Sequence, residues 1–178
     1  MTVELKCEAP QGRRFVRLLR ADARNLLRSL AIENYELSLV LTDDAAIRIL
    51  NRRFRSKDRA TDVLSFPQFD SAADPSAYMP SHGADAADTV PIAVGDVVIS
   101  VETAARQAIR MGLTLDARLR TLLIHGVLHL LGYDHERSRA EARRMFARER
   151  ELGAMLAEVS VAKRRTPRSA HAISASQR

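Results

Sequence analysis

The sequence has no tryptophan, a single cysteine and only 4% aromatic residues. One cysteine cannot form an internal disulfide, which is typical of proteins in a reducing compartment, and the shortage of aromatic side chains predicts an aliphatic core. The sequence also lacks apolar runs of the roughly 20 residues that a membrane span requires. Its amino terminus does not resemble a signal peptide. These absences predict a cytoplasmic protein that does not associate with a membrane.

Positive charge is unevenly distributed along the chain. The net charge is +6, and residues 163–178 hold five cationic residues and no acidic one. The remainder is nearly balanced, so net charge alone is weak evidence for nucleic-acid binding. From the length of 178 residues we expect a single domain over residues 1–160 and a basic, disordered tail over residues 161–178.

Hydrophobic periodicity predicts strands and helices that alternate along the chain. The predicted strands cover residues 2–8, 35–42, 61–66 and 93–100, and the predicted helices cover residues 13–32, 45–54, 101–111, 115–132 and 136–159. The first strand is expected at a sheet edge, and the proline-containing residues 68–92 are expected to form a long, flexible surface loop. The pattern predicts an α/β (α+β) fold, with a small mixed four-stranded sheet layered with about five helices.

One face of the first predicted helix is rich in arginine. A solvated surface and a contact with RNA both fit this pattern. The six residues are Arg13, Arg14, Arg17, Arg20, Arg24 and Arg28.

Three of the five histidines lie within residues 125–135, in the stretch HGVLHLLGYDH. Residues 121–131 are otherwise almost entirely apolar, which predicts a buried helix. Buried imidazoles are costly unless each finds a hydrogen bond or a metal. His125 and His129 are four residues apart, so they lie about 40° apart around the helix axis and about 6 Å apart along it. That spacing allows both side chains to bind one ion.

The third histidine requires the helix to end. On a continuous helix, His135 would lie about 15 Å beyond His125, too far to share an ion. Gly132 is placed to terminate the helix with a positive φ and return the chain. A chance cluster of buried or turn histidines is the alternative, and the well-placed glycine argues against it. Asp134 fits either a turn residue or a carboxylate that orients a ligand histidine.

Three neutral histidine ligands leave an open coordination position, which indicates a catalytic metal. Zinc is expected first, with nickel, copper and iron as alternatives, and zinc lowers the pKa of bound water to about 7. The spacing H-x-x-x-H-x-x-G-x-x-H matches that of metzincin peptidases. Those enzymes need a Glu directly after the first histidine as general base, whereas this chain has Gly126 there. Peptide hydrolysis by the usual route is therefore disfavoured.

Three motifs resemble those of the YbeY family of endoribonucleases and rRNA maturation factors. They are HGVLHLLGYDH at 125–135, LNRRFRSKDRATDVLSFP at 50–67 and GDVVIS at 95–100. The resemblance implies a zinc-dependent, single-strand-specific endoribonuclease domain acting in 16S rRNA 3′-end maturation and ribosome quality control. It implies rRNA precursor as substrate and the ribosome or small-subunit assembly factors as partners, with no DNA and no membrane.

Matching positions in the resemblance assign zinc ligation to His125, His129 and His135 and a catalytic role to Arg55. A guanidinium also suits the chemistry, because it can grip a phosphate with two hydrogen bonds. Its basic neighbours are expected to add an RNA-binding rim, and these are Arg52, Arg53, Lys57 and Arg59. Two other functions stay open: a metal hydrolase of another substrate, including an atypical peptidase, and a non-catalytic ribosome-assembly factor with a structural metal. Water bound to the metal and the RNA 2′-OH are alternative nucleophiles.

Overall fold

The computed structural model of this protein describes residues 2–30, 35–68 and 92–165, which form a sheet covered by helices. The elements in chain order are β1 (Thr2–Cys7), a 3₁₀ segment (Pro10–Phe15), α1 (Val16–Ser29), β2 (Tyr35–Thr42), α2 (Asp44–Arg55), β3 (Val63–Pro67), β4 (Ile92–Ser100), α3 (Val101–Met111), α4 (Leu115–Leu130) and α5 (Arg139–Arg165). None of the described helices combines the length and the apolar character needed to cross a bilayer.

The sheet has four strands in the order β1-β2-β4-β3 within the described part of the chain. Strands β1, β2 and β4 run parallel, and β3 pairs antiparallel with β4. The predicted mixed sheet is therefore confirmed, as is the position of the first strand at an edge. Strand β3 forms the opposite edge, which leaves one of its sides free to border a cleft.

Helix α4 lies at the centre of the molecule. It packs against β3 and β4 and also contacts α1, α3 and α5. Its side chains Leu119, Leu123 and Val127 have no solvent exposure, which confirms the prediction of a buried helix. The core is aliphatic as expected, because Phe15 and Tyr35 are the only buried aromatic residues among those that the structure describes.

Two aspartates tie the elements around the sheet together. The Asp44 carboxylate, at the start of α2, accepts hydrogen bonds of 2.6 Å from the Ser100 and Thr103 hydroxyls at the start of α3. Asp62, just before β3, accepts 3.0 Å bonds from Gln107 of α3 and Arg118 of α4. These contacts set where α2 and β3 lie relative to α4.

Several boundaries differ from the sequence prediction. The first helix begins as a 3₁₀ segment, and the third strand begins at Val63, where the Asp62 side chain accepts the Val63 N–H. Helix α5 continues to Arg165, so residues 161–165 are helical although a disordered tail was expected there. Alanine, lysine and arginine favour helices, and cations stabilise a helix carboxyl terminus. The remaining tail and residues 69–91 of the expected loop lie outside the described residues.

Gly126 allows α4 to approach the sheet closely. A Cβ at this position would lie 2.6 Å from Val97 Cγ1 on β4 and 3.2 Å from Ser65 Oγ on β3. Valine is branched at Cβ and has few rotamers, so the Val97 side chain cannot easily move away from an added Cβ. Any side chain at position 126 would therefore force the helix away from the two strands.

Replacing Gly126 with Ala is expected to lower the free energy of unfolding by about 1–3 kcal/mol through overpacking, although Ala favours a helix by about 1 kcal/mol. Urea denaturation measures the change. Gly153→Ala is the matched control in α5, because the closest atom outside its helix, Ile124 Cδ1, lies 4.0 Å from the new Cβ. The control is expected to be neutral or stabilising, and a Gly126→Ala variant as stable as the parent would contradict the packing argument.

The contribution of Asp62 to the stability of the fold is expected to depend on pH. Burial opposes its ionisation, but hydrogen bonds from Gln107 and Val63 and the charge of Arg118 outweigh that effect and hold its pKa below the usual 3.8. A carboxyl whose pKa is lower in the folded state stabilises the fold above its unfolded pKa, and the stabilisation is lost as the pH falls through the folded pKa.

Asp62→Asn is therefore expected to lower the free energy of unfolding by about 1–3 kcal/mol near neutral pH. The difference should stay constant from about pH 7 to about pH 5 and shrink only below about pH 4. Urea denaturation across this range is the measurement. Asp58→Asn is the control, because Asp58 pairs with Arg48 at the exposed surface, and a loss as large as that of Asp62→Asn would refute the assignment.

Candidate metal centre

Two of the three clustered histidines lie on one face of α4. His125 Nε2 and His129 Nε2 are 3.1 Å apart, near the spacing of about 3.3 Å that two nitrogens adopt when both bind one zinc ion at about 2.0–2.1 Å. The His135 ring centroid lies 5.2 Å from that of His125 and 5.1 Å from that of His129. One nitrogen of each ring lies within 4.8 Å of the others, so the three residues could hold a metal ion.

A turn after α4 brings His135 back to the helix. Gly132 has a φ of 85°, in the left-handed region that favours glycine. Its N–H donates to the His129 carbonyl at 3.0 Å, and the Tyr133 N–H donates to the Leu128 carbonyl at 3.1 Å. This pair of bonds is the Schellman motif, which terminates helices. The prediction that the helix ends at Gly132 and returns the third histidine is confirmed.

Glu149 of α5 supports the triad from behind. Its Oε1 lies 2.6 Å from His125 Nδ1, and both side chains are mostly buried. A carboxylate only accepts hydrogen bonds, so His125 Nδ1 carries the proton and donates it. The other nitrogen, Nε2, then keeps its lone pair towards His129, as a metal ligand requires.

Glu149 was not predicted as a site residue, although its position among the apolar residues of α5 could have indicated it. Along α5 the buried positions are Met145, Leu152 and Leu156, and Glu149 falls on the same helical face by its spacing. A single acid on an otherwise apolar face needs a buried partner, and a ring nitrogen of a clustered histidine that does not bind the metal can serve as that partner.

Asp134 acts as a turn residue. Its Oδ1 accepts a 2.8 Å bond from the Glu136 N–H, and its Oδ2 pairs with Arg137 at 3.2 Å. The carboxylate therefore shapes the loop that carries His135, and Glu149 is the residue that orients a histidine ring.

Two features of the triad favour a bound cation: the neutral ring of His129 and an unsatisfied nitrogen on His135. Burial, together with the neighbouring His125 and His135, lowers the pKa of His129 to about 4, so its ring is uncharged near neutral pH. His135 Nδ1 is buried and has no hydrogen-bond partner among the described residues, which is costly for a polar atom. A neutral His129 ring and a buried, unsatisfied nitrogen on His135 fit a bound cation.

The triad lies at the floor of a cleft of about 670 Å³. The end of α2, the residues around β3 and the turn after α4 form its walls. Arg55 lines the cleft with the three histidines, and its Nη2 lies 3.5 Å from Glu136 Oε2. The Arg55 side chain is 47% exposed, so a ligand in the cleft can reach it. Asp62 and Ser65 also line the cleft.

The other predicted site residues lie outside the cleft. Each of them is exposed, and none is among the lining residues: Arg52, Arg53, Lys57 and Arg59. The structure thus brings together the three histidines and Arg55, and leaves the four basic neighbours on the outer surface beside them.

Fold and triad together define a small α/β protein with a three-histidine site able to hold a metal ion. The family model described as "Endoribonuclease YbeY" matches residues 8–157. The chain belongs to the YbeY family, and the family resemblance inferred from the three sequence motifs is confirmed.

Relatives named "Endoribonuclease YbeY" are similar to most of this chain. The Myxococcus xanthus protein is 51% identical over 142 residues, which are 80% of this chain and 44% of that protein, so the match spans less than half of the relative. The Anaeromyxobacter dehalogenans protein is 49% identical over 152 residues, covering 85% of this chain and 70% of the relative. The Geobacter sulfurreducens protein is 45% identical over 141 residues, which cover 79% of this chain and 85% of the relative.

The solution structure of TM1509 from Thermotoga maritima has a similar fold. Its TM-score is 0.61 at 22% sequence identity, with 90% of this chain and 93% of that chain covered. At this identity the similarity supports the fold alone.

Glu149→Gln is expected to weaken metal binding by the triad about 10–100-fold, with Zn²⁺ as the probe, because the neutral amide holds the His125 ring less firmly and makes it a poorer donor to the metal. Competition with a chromophoric chelator measures the affinity. Glu151→Gln is the matched control on the same helix, since Glu151 pairs with Arg148 and is 66% exposed. Equal affinities of the two variants would show that Glu149 has no part in the site.

Proposed function

We propose that this protein is a zinc-dependent, single-strand-specific endoribonuclease that acts in the cytoplasm in 16S rRNA 3′-end maturation and ribosome quality control. The observation that carries the proposal is the placement of Arg55 and the histidine triad in one cleft, in a chain whose family is described as an endoribonuclease. The expected substrate is rRNA precursor, with the ribosome or small-subunit assembly factors as partners.

The triad would hold the zinc ion through His125, His129 and His135. Imidazole nitrogens suit zinc, and three of them leave a coordination position for substrate or solvent. When bound, the ion would supply Lewis acidity at a phosphoryl oxygen or lower the pKa of water. Glu149 would keep the His125 ring in the required orientation and tautomer.

Arg55 would bind the phosphate whose bond is broken. Its present partner, Glu136, lies at 3.5 Å, and both side chains are about half exposed or more, so the pair is weak. A phosphodiester offers two oxygens to a guanidinium and forms shorter, charge-assisted bonds. Arg55 would thus exchange Glu136 for substrate and stabilise the charge that develops on the phosphoryl oxygens.

The exposed basic residues beside the cleft would attract the RNA backbone without setting its register. They form a rim at the end of α2 and in the loop that follows it: Arg52, Arg53, Lys57 and Arg59. Exposed cations of this kind contribute salt-dependent affinity.

Wild-type protein loaded with zinc is expected to cleave single-stranded rRNA precursor fragments, and His129→Ala is expected to lose both zinc and activity. Arg55→Glu is expected to keep zinc but lose about 100-fold or more of the cleavage rate, because a carboxylate repels the phosphate. Gel assays of labelled fragments measure cleavage, and metal analysis measures zinc. Arg110→Glu is the control, because Arg110 is exposed on α3 outside the cleft.

The same assays distinguish a nuclease from a hydrolase of another substrate and from a protein with a structural metal. Cleavage by all variants after chelation would refute the nuclease proposal. Hydrolysis of casein without cleavage of RNA would indicate a hydrolase of another substrate, and unfolding of His125→Ala would indicate a structural metal. Among the products of active protein, a 2′,3′-cyclic phosphate identifies the RNA 2′-OH as the nucleophile, whereas a 5′-phosphate and a 3′-OH at the new ends identify water.

A further inference from the structure

Aromatic side chains are scarce in this chain but concentrate at the cleft. The sequence has five Phe and three Tyr residues and no Trp. Among the described residues, Phe54, Phe66 and Tyr133 line the cleft. Packing of the core, which is mainly aliphatic, does not explain why these aromatic residues lie beside the histidine triad.

Phe54 is placed for contact with a ligand more than for packing. It lies near the end of α2 and is 57% exposed, although burying a phenylalanine side chain is worth about 1.5–3 kcal/mol. Its ring meets that of Phe66 edge to face, with centroids 5.0 Å apart. Phe66 belongs to β3, so the sheet edge supports the Phe54 ring from one side while more than half of the side chain stays exposed.

A planar cation already lies against the exposed ring. The Arg53 guanidinium carbon is 5.3 Å from the Phe54 ring centroid, and Arg53 is itself exposed. This contact shows that a flat group can reach the face of the ring. A guanidinium also stacks on bases, so Arg53 can give way to a base or cover its far side.

We infer that Phe54, supported by Phe66, stacks against an unpaired base of the RNA strand next to the phosphate bound by Arg55. The inference rests on the proposed function and adds a residue that selects single strands. Consecutive residues bring an aromatic ring and a guanidinium to one cleft, and a nucleotide presents a base and a phosphate together. A base within a duplex is already stacked and paired, so it cannot take this place without being extruded.

The inference is tested with the full chain and two short single-stranded oligoribonucleotides, one intact and one with abasic residues on the same backbone. Binding is measured by fluorescence anisotropy in the presence of a chelator, so that no cleavage intervenes. For wild type and Phe54→Tyr, removing the bases is expected to weaken binding by about 5- to 100-fold. For Phe54→Leu the two oligoribonucleotides are expected to bind with nearly equal affinity, because leucine offers no ring.

Comparing two ligands on each protein guards against a folding defect, since a misfolded variant would lose both ligands together. Ile49→Ala is the surface control, because Ile49 is 68% exposed on the same helix and does not line the cleft. It should retain the wild-type preference for intact RNA.

The results separate this inference from the proposed function. If wild-type protein cleaves single-stranded RNA but Phe54→Leu keeps the full preference for intact over abasic RNA, base stacking by Phe54 is overturned and the nuclease proposal stands. If wild-type protein neither binds nor cleaves the RNA, both are overturned. A Phe54→Leu variant that unfolds at the same urea concentration as wild type, but loses affinity for intact and abasic RNA by the same factor, also overturns the stacking inference.

Discussion

The close packing of α4 on β3 and β4 is the constraint on which the rest of this structure depends. Because Gly126 has no side chain, the helix lies against Val97 and its apolar residues fill the core. The two histidines on the same helix then lie at the floor of the cleft, where burial lowers the pKa of His129. The helix must also end soon after His129, and Gly132 allows the turn that brings His135 back.

The same packing explains why this site lacks the glutamate that metzincin peptidases use as a general base. Position 126 faces the sheet, so a glutamate there would have to displace Val97 before it could reach the cleft. The acidic residue that hydrogen-bonds to a histidine of the triad comes instead from α5, where Glu149 contacts His125. Its carboxylate is behind the ring and is not among the residues that line the cleft. It therefore orients a histidine and does not replace the general base of the metzincin peptidases.

Much of the fold and part of the site could be predicted from sequence because their signals are local. Alternation of apolar residues predicts β2 with its observed limits of 35–42, and the spacing of His125, His129 and Gly132 predicts a helix followed by a return turn. Contacts between distant segments leave no such periodic signal. Glu149 meets His125 across 24 residues, and Asp62 meets Arg118 across 56. The grouping of Phe54 with Phe66 likewise requires knowing that α2 ends beside β3.

The carboxylates of the cleft limit where a proton acceptor for catalysis can come from. Among the described lining residues, Asp62 is held by Gln107 and Arg118, and the two oxygens of Asp134 are taken by its own turn. Glu136 is more loosely held, because its contact with Arg55 is long and exposed. A phosphate bound to Arg55 would release Glu136 at the moment the substrate arrives. Among the described lining residues, Glu136 is thus the carboxylate that the proposed binding of a phosphate to Arg55 would set free, and it lies on the same turn as His135.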